Sequence, residues 1–368
     1  MSSCDKTRTD KHVSLYDYSK NIIQGNNLKN TETDDRANTI TSNFGALGSC
    51  GCTPICPLCP TGATGASIPF SANRIYVTNR ADNTVSVIDG NTNTIIATVT
   101  VGSNPSGVGV NSSTNRIYIA NEGDNTISII SGNTNTVIGT VTVASRPSGI
   151  GANPSTNKIY VANWGRSSVS VIDGNTNTII ATVPVHRHPF AVGVNLSTNQ
   201  IYIVNQESVL SYCTISVIDG ITNGIITTVQ VGRYATGVGV NSSTNRIYIA
   251  NANSSILSVI DGNTNTVIAD ILVHSGLFAV GVNSLTNLIY VTNPPDNTVS
   301  VIDGDTNTVI DTVTVGRNPS IVGVNPSTNL IYIAHQEDNT VSIISGNTNT
   351  VIGTVEVGSM PRGIGFNP

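Results

Sequence analysis

Hydrophobic and polar positions alternate with a period of two along most of this chain, and the alternation itself recurs. Thr84-Val85-Ser86-Val87-Ile88 and Ile96-Ala97-Thr98-Val99-Thr100-Val101 both show it, as a strand packed on a neighbour requires. The dipeptide Ile-Tyr marks the recurrence, at Ile75-Tyr76, Ile117-Tyr118, Ile159-Tyr160, Ile201-Tyr202, Ile247-Tyr248, Ile289-Tyr290 and Ile331-Tyr332. The spacing is 42 residues throughout, except for 46 between the fourth and fifth copies. Each copy predicts four short strands; in the first these are Arg74–Thr78, Thr84–Asp89, Thr94–Val101 and Gly107–Asn111. Between them stand Asn-Ser-Ser-Thr-Asn and Asp-Gly-Asn-Thr-Asn-Thr, in which Asn and Gly tolerate positive φ and Asx side chains close local hydrogen bonds.

Four antiparallel strands in about 40–45 residues make a β-propeller blade, and radial closure hides the sheet edges. The 368 residues would by length suggest two or three domains. The repeat reduces this to one, residues 69–368, behind a largely irregular N-terminal tail, 1–68. The block opens on an Ile-Tyr strand with no Gly-Val-Gly-Val strand ahead of it, Ala66–Phe70 being a poor match. It ends on Arg362-Gly363-Ile364-Gly365-Phe366, the missing strand type. The expected fold is therefore all-β, a seven-bladed propeller whose C-terminal strand completes the first blade. An open solenoid is the alternative, and it would need capping repeats.

Composition narrows the function classes. Only 11% of residues are charged, 38% are hydrophobic, the mean hydropathy is +0.07, and there are 45 Asn and 34 Gly. A helical bundle would need Ala, Leu, Glu and Lys instead. A net charge of −5 argues against a basic nucleic-acid binder. No apolar run approaches the ~20 residues of a membrane-spanning helix.

The strands carry a family resemblance. Tyr76-Val77-Thr78-Asn79, Tyr118-Ile119-Ala120-Asn121, Tyr160-Val161-Ala162-Asn163 and Tyr290-Val291-Thr292-Asn293 recur with Asn-Thr-Val-Ser-Val-Ile-Asp and Val-Gly-x-x-Pro-x-Gly. Over about 300 residues this resembles the YVTN-repeat β-propellers of bacterial and archaeal surface-layer and periplasmic proteins. The resemblance implies the propeller fold and no catalytic motif, since this scaffold hosts binding proteins, lyases, lactonases and dehydrogenase subunits alike.

The two faces of the predicted ring differ. The loops on one face scarcely vary between copies. Those on the other carry Arg146, Arg187, Arg233, Arg317 and Arg362 on the inner side, and Arg80, Arg166 and Trp164 on the outer side. Carboxylates (Asp82, Glu122, Asp124, Glu207, Asp296, Glu337 and Asp338) and the four-residue insertion within Gln206–Thr214 fall there too. Phe190, Tyr234 and Phe278 lie on or beside the inner loops, and His186, His188, His274 and His335 map to the same face. The expected binding face comprises the five arginines with Trp164, Tyr234, His186, His274 and His335. It is suited to an anionic or planar group, or to a protein, glycan or nucleic-acid ligand. The competing expectation is that the arginines only pair with carboxylates of neighbouring loops. A metal site joining His186 and His188 to Glu337 lacks a short-range ligand motif, and no nucleophile elbow is present. No cofactor is expected. An enzyme of lactonase or lyase type would have its site at the channel mouth around His186, His274 and His335.

Five of the six cysteines, Cys4, Cys50, Cys52, Cys56 and Cys59, are in the tail. Cross-linking within or between chains, a metal cluster and reduced thiols all remain open, and the C-x-C-x₃-C-x₂-C spacing matches no standard zinc finger. Thr61-Gly62-Ala63-Thr64-Gly65-Ala66 faintly resembles the collagen-like tracts of spore-surface proteins. No apolar signal segment follows Met1. The resulting expectation is a non-enzymatic surface or assembly protein, outside the cell or on a spore, whose tail builds a homo-oligomer or larger array. A cytoplasmic inclusion is the alternative location.

Overall fold

The computed structural model describes residues 73–207, 211–274 and 276–368. The tail cysteines, the Gly-Ala-Thr-Gly-Ala stretch and positions 208–210 of the insertion lie outside the described residues. The described chain forms seven four-stranded antiparallel sheets arranged as a ring of blades. In the first, β1 (Arg74–Asn79), β2 (Thr84–Asp89) and β3 (Thr94–Thr100) are completed on the inside by β28 (Pro361–Asn367). Ile75 sits opposite Phe366 and Val77 opposite Ile364, so the C-terminal strand closes the ring as predicted. The innermost strands of blades two to seven are β4 (Pro105–Asn111), β8 (Pro147–Asn153), β12 (Pro189–Asn195), β16 (Ala235–Asn241), β20 (Val280–Asn283) and β24 (Pro319–Asn325). Most start at proline, earlier than the predicted Gly107 would place them. Proline is accommodated at the first residue of a strand because no ladder donor is required there, and a register shift follows it.

The Ile-Tyr dipeptide is explained by blade stacking. Successive residues of the second strand point to opposite faces, and both faces of every blade are covered by a neighbour. Ile75 and Val77 pack with Tyr332, Val341 and Ile343 of blade seven. Tyr76 turns the other way, onto Ile117, Ile119 and Ile130 of blade two. The Tyr76 hydroxyl then donates to Asn135 Oδ1 at 3.0 Å, and Tyr202 donates to Asn265 Oδ1 at 2.9 Å, each in the next blade. In these copies a buried phenol thus fills the inter-blade volume and satisfies its own polar end.

The abundance of Asn has two causes. Asn supplies left-handed turn positions in every blade, for example Asn83 and Asn93 at φ 56° and Asn115 at φ 50°, which its side chain tolerates better than other non-Gly residues do. Asn also ties each blade to the next on the invariant face. Asn111 donates to Asn157, Asn153 to Asn199, Asn195 to Asn245, Asn241 to Asn287, Asn283 to Asn329, Asn325 to Asn73 and Asn367 to Asn115. The last two bonds bridge the chain ends, so the circle is complete.

Candidate ligand-binding site

The variable face opens onto a cavity of about 370 Å³ at the mouth of the central channel. One recurrent position, the residue that follows the leading proline of each inner strand or its equivalent, lines it in every blade but the seventh. Around the ring this position is Arg362, Ser106, Ser148, Phe190, Thr236, Phe278 and Ser320. The hydroxyl residues turn sideways. Ser148 Oγ donates to Phe190 O at 2.9 Å, Thr236 Oγ1 to Leu277 O at 3.1 Å and Ser320 Oγ to Pro361 O at 3.1 Å. Each closes onto the next blade's backbone. Phe190, Phe278 and Arg362 have no such bond to make, and all three line the cavity. The two phenyl rings meet edge to face with centroids 6.2 Å apart, a favoured aromatic arrangement.

A chain of polar contacts runs around the basic side of the rim. Glu122 accepts from Arg80 Nη2 at 2.8 Å and from Arg146 Nη2 at 2.7 Å. Arg146 also lies over the Trp164 ring, 4.3 Å from its centroid, and His188 stacks on the same side chain at 4.4 Å and 25°. Burial pushes the Glu122 carboxyl up, but the Arg146 hydrogen bond and the charges of Arg80, Arg362 and Arg146 outweigh it and hold the group below the ordinary glutamate value. Arg362 differs from its neighbours. No hydrogen bond or ion pair of its guanidinium occurs among the described residues. Burial first, then the charge of Arg80, lower its pKa against the pull of Glu122, and Arg146 lowers it further. A guanidinium remains charged through such a shift, so the mouth holds three cationic groups against one anion.

The backbone at the rim departs from the cheapest solution. In six of the seven blades the residue just before the inner strand is left-handed, and Asn104 and Asn318 meet that demand with a tolerant side chain. Arg146 at φ 53°, His188 at φ 50° and Tyr234 at φ 54° adopt the same conformation, at roughly 1–2 kcal/mol each for a residue with an ordinary Cβ. At Arg146 and Tyr234, both of which line the cavity, a cavity-facing side chain therefore replaces turn chemistry, and at His188 a side chain stacked on Trp164 does so.

Several expected members of the face fall outside this cavity. Arg317 is exposed and donates to Asp338 Oδ1 at 2.7 Å. Arg233 is exposed beside the Tyr212 ring, 5.5 Å from its centroid, and Arg187 is exposed. His186 lies 3.6 Å from Glu207, and His274 lies 3.4 Å from Asp296; the structure does not join them into one site. Arg362 lies on β28 itself rather than in an inner loop. Asp82, Asp124 and Asp338 hold inner loops in place by accepting the backbone N–H of Ser359, Ser103 and Arg317. Cys213 is buried in the core between blades four and five.

His335 is a correction. It was expected on the binding face, yet it is fully buried at the end of its strand. In the other six blades this position is Asn, whose Nδ2 bonds a Ser or Thr of the adjacent strand, as Asn79 does to Ser86 Oγ at 2.9 Å. His335 Nε2 makes the same contact with Ser342 Oγ at 2.8 Å. It is an isosteric substitute in a structural bond. Burial lowers its pKa from 6.5 to about 4, so the unfolded chain takes up the proton first. Its contribution to stability is intact above pH ~6.5 and falls by about 1.4 kcal/mol per pH unit down to about pH 4, about 3 kcal/mol in all. The difference in urea midpoint between His335→Asn and the parent is expected to widen across that interval in favour of the variant. A constant difference between pH 7 and pH 4 would show that His335 is not neutral in the fold.

Sequence reasoning placed Arg362, Arg146, Trp164 and Tyr234 at this face but missed Glu122, Phe190 and Phe278 as cavity residues. The signal was present: reading the position after the leading proline across all seven copies isolates Phe190, Phe278 and Arg362 from a Ser/Thr background.

Neither a family model nor a curated relative matches this chain. Solved structures do match in fold. The Kuenenia stuttgartiensis hydrazine synthase aligns with a TM-score of 0.68 at 16% identity, over 74% of this chain and 92% of that one. A protein of unknown function from Desulfotomaculum acetoxidans aligns with a TM-score of 0.70 at 13% identity, over 80% and 98%. The dihydro-heme d1 dehydrogenase NirN, in complex with DHE, aligns with a TM-score of 0.59 at 10% identity, over 80% and 75%. At such identities the likeness speaks for architecture alone: the chain is a seven-bladed β-propeller with four-stranded antiparallel blades.

Proposed function

We propose that this chain is a non-enzymatic surface or assembly protein whose rigid ring presents the channel mouth as a binding site, while the cysteine-bearing tail anchors or cross-links it. One observation carries the binding part. Of seven equivalent positions, those that do not close onto backbone are the two phenylalanines and the arginine that line the cavity. Loop and rim variation on a rigid scaffold is where recognition resides. A non-catalytic reading is favoured because the acidic side chain lining the mouth, Glu122, is engaged by two arginines and held below its ordinary pKa. Such a carboxylate is a weak proton acceptor near neutral pH. The Tyr-Val-Thr-Asn strands, which resemble those of surface-layer propellers, and the clustered Cys50, Cys52, Cys56 and Cys59 support the surface and assembly part.

The test restores the repeat's own residue. Ser at this position bonds the next blade in three copies, at Ser106, Ser148 and Ser320, so the triple variant Phe190→Ser, Phe278→Ser, Arg362→Ser is expected to keep the fold and a cooperative transition, with a midpoint lowered by the lost packing of Phe278. On glycan and peptide arrays it should lose the ligands that the parent retains. Equal binding by both proteins would move the recognition site away from the mouth. In the same preparations, a ladder on non-reducing gels that disappears on reduction and in the Cys50/52/56/59→Ser variant is expected. A monomer under both conditions would remove the cross-linking part.

A further inference from the structure

The ligand class follows from how the mouth's charges are already spent. Arg80 and Arg146 both bond Glu122, whose side chain is only 13% exposed. Arg146 is further committed to the Trp164 face, and the indole has His188 stacked on it, so Trp164 braces the rim. One cation of the mouth, Arg362, makes no hydrogen bond or ion pair among the described residues and feels only the distant pull of Glu122, in a half-buried setting. Leaving a buried charge unpaired is costly, and the nearby arginines aggravate it. An entering anion relieves that cost, and one free guanidinium suits one negative charge, received in a bidentate fork.

Apart from Gln206, Tyr234 and the hydroxyls of Ser106, Ser148 and Thr236, which close onto the next blade's backbone, the remainder of the cavity is lined by apolar side chains and glycines. Counting around the ring, Phe190 belongs to the blade three places from that of Arg362, across the channel, and Phe278 to the blade two places away on the return side. Val192, Val238, Val280 and Ile364 of the inner strands continue the lining. A volume of about 370 Å³ is at the lower end of the ~300–1,000 Å³ typical of organic-ligand pockets.

From these observations we propose that the channel mouth binds a small planar aromatic carboxylate, with its anionic group on Arg362 and its ring against Phe190 and Phe278. This rests on the mouth being the binding site proposed above and specifies what enters it. Phe190 and Phe278 supply the apolar edge-and-face contacts, Glu122 keeps Arg80 and Arg146 from competing for the anion, and the Arg146–Trp164–His188 stack holds the rim open.

The test is isothermal titration of the full chain with 1-naphthoate, its neutral counterpart 1-naphthalenemethanol, cyclohexanecarboxylate and inorganic phosphate. Naphthoate is expected to bind at least about tenfold more tightly than the other three, because a charge-assisted hydrogen bond and an aromatic contact are both needed. Arg362→Ser should abolish the preference for naphthoate over the alcohol while the protein melts as the parent does. Phe190→Ser should abolish the preference for naphthoate over cyclohexanecarboxylate. No naphthoate binding by the folded parent, or naphthoate and alcohol binding equally, overturns the ligand class. If array ligands that depend on the three mouth residues are nevertheless found, the ligand class fails and the binding mouth stands. If those ligands are indifferent to the triple variant, the mouth itself is excluded.

Discussion

Deletion of Pro361–Pro368 is expected to unfold the entire ring rather than fray one end. These residues form β28, which supplies the innermost strand of the blade that also contains β1 to β3. Without it the ladder that pairs Ile75 with Phe366 and Val77 with Ile364 is lost. The core between blades seven and one loses Ile364 and Phe366, and the circle of Asn–Asn bonds loses its Asn367–Asn115 link. Ile364 and Phe366 are partly buried, so each loses less than the roughly 2–5 kcal/mol of a fully buried side chain, but together with a whole strand's hydrogen bonds the loss approaches the ~5–15 kcal/mol by which a domain is stable. The newly exposed inner edge of β1 is also a template for pairing with other chains. Circular dichroism and size-exclusion chromatography should show loss of the cooperative transition, or aggregation, at room temperature. A truncated chain that melts at the parent's midpoint would mean that closure contributes nothing to stability.

The second large effect comes from the contrast between two strand glycines, one on an inner strand and one on an outermost strand. A Cβ at Gly363 would lie 1.9 Å from Ser106 O and 2.9 Å from Thr78 Oγ1. Thr78 cannot retreat freely, since its hydroxyl receives Gly363 N–H at 2.8 Å and donates to Ser106 O at 2.8 Å. Gly363→Ala must therefore push two inner strands apart at the narrowest part of the ring, at a cost of about 3 kcal/mol, the upper end for overpacking. At Gly139, on an outermost strand, the nearest atom to an added Cβ is Ile129 Cδ1 at 3.8 Å, and other copies already carry Ala97, Ala181 and Ala269 at that position. Gly139→Ala is expected to be neutral or to stabilise by about 0.5–1 kcal/mol through the unfolded chain's lost freedom. Urea unfolding of the two variants checks the contrast. Equal midpoints would show that inner-strand spacing does not limit the fold.

The architecture was legible because a repeat states its own geometry. A recurrent Ile-Tyr in a period-two strand requires two opposite buried faces, and a stack of such strands with a missing first and a surplus last member requires closure. The site was only partly legible. Arg362 and Arg317 look alike in the sequence, each near the start of an inner strand, but Arg317 lies beside Asp338, whereas the carboxylate near Arg362, Glu122, is already engaged by Arg80 and Arg146. Which arginine is left over depends on distances between loops that are 24 or 42 residues apart, and no local pattern encodes them. His335 failed for a different reason. It stands at the end of a strand that runs to the variable face, and chemistry suited to binding was assigned to it there, whereas Asn79 and Asn121 in the same place of other copies make a buried hydrogen bond.

The sequence by itself therefore determined the number of blades, the strand that joins the ends, and the face on which the copies diverge. All three follow from short-range periodicity and from the turn preferences of Asn and Gly. Only the tertiary structure decided which divergent side chains meet. Radial closure brings β28, β4, β8, β12, β16, β20 and β24 together around one channel and turns seven separate residue choices into a single cavity. There the physical distinction is between a hydroxyl that can satisfy itself on the next blade's carbonyl and a phenyl ring or guanidinium that cannot.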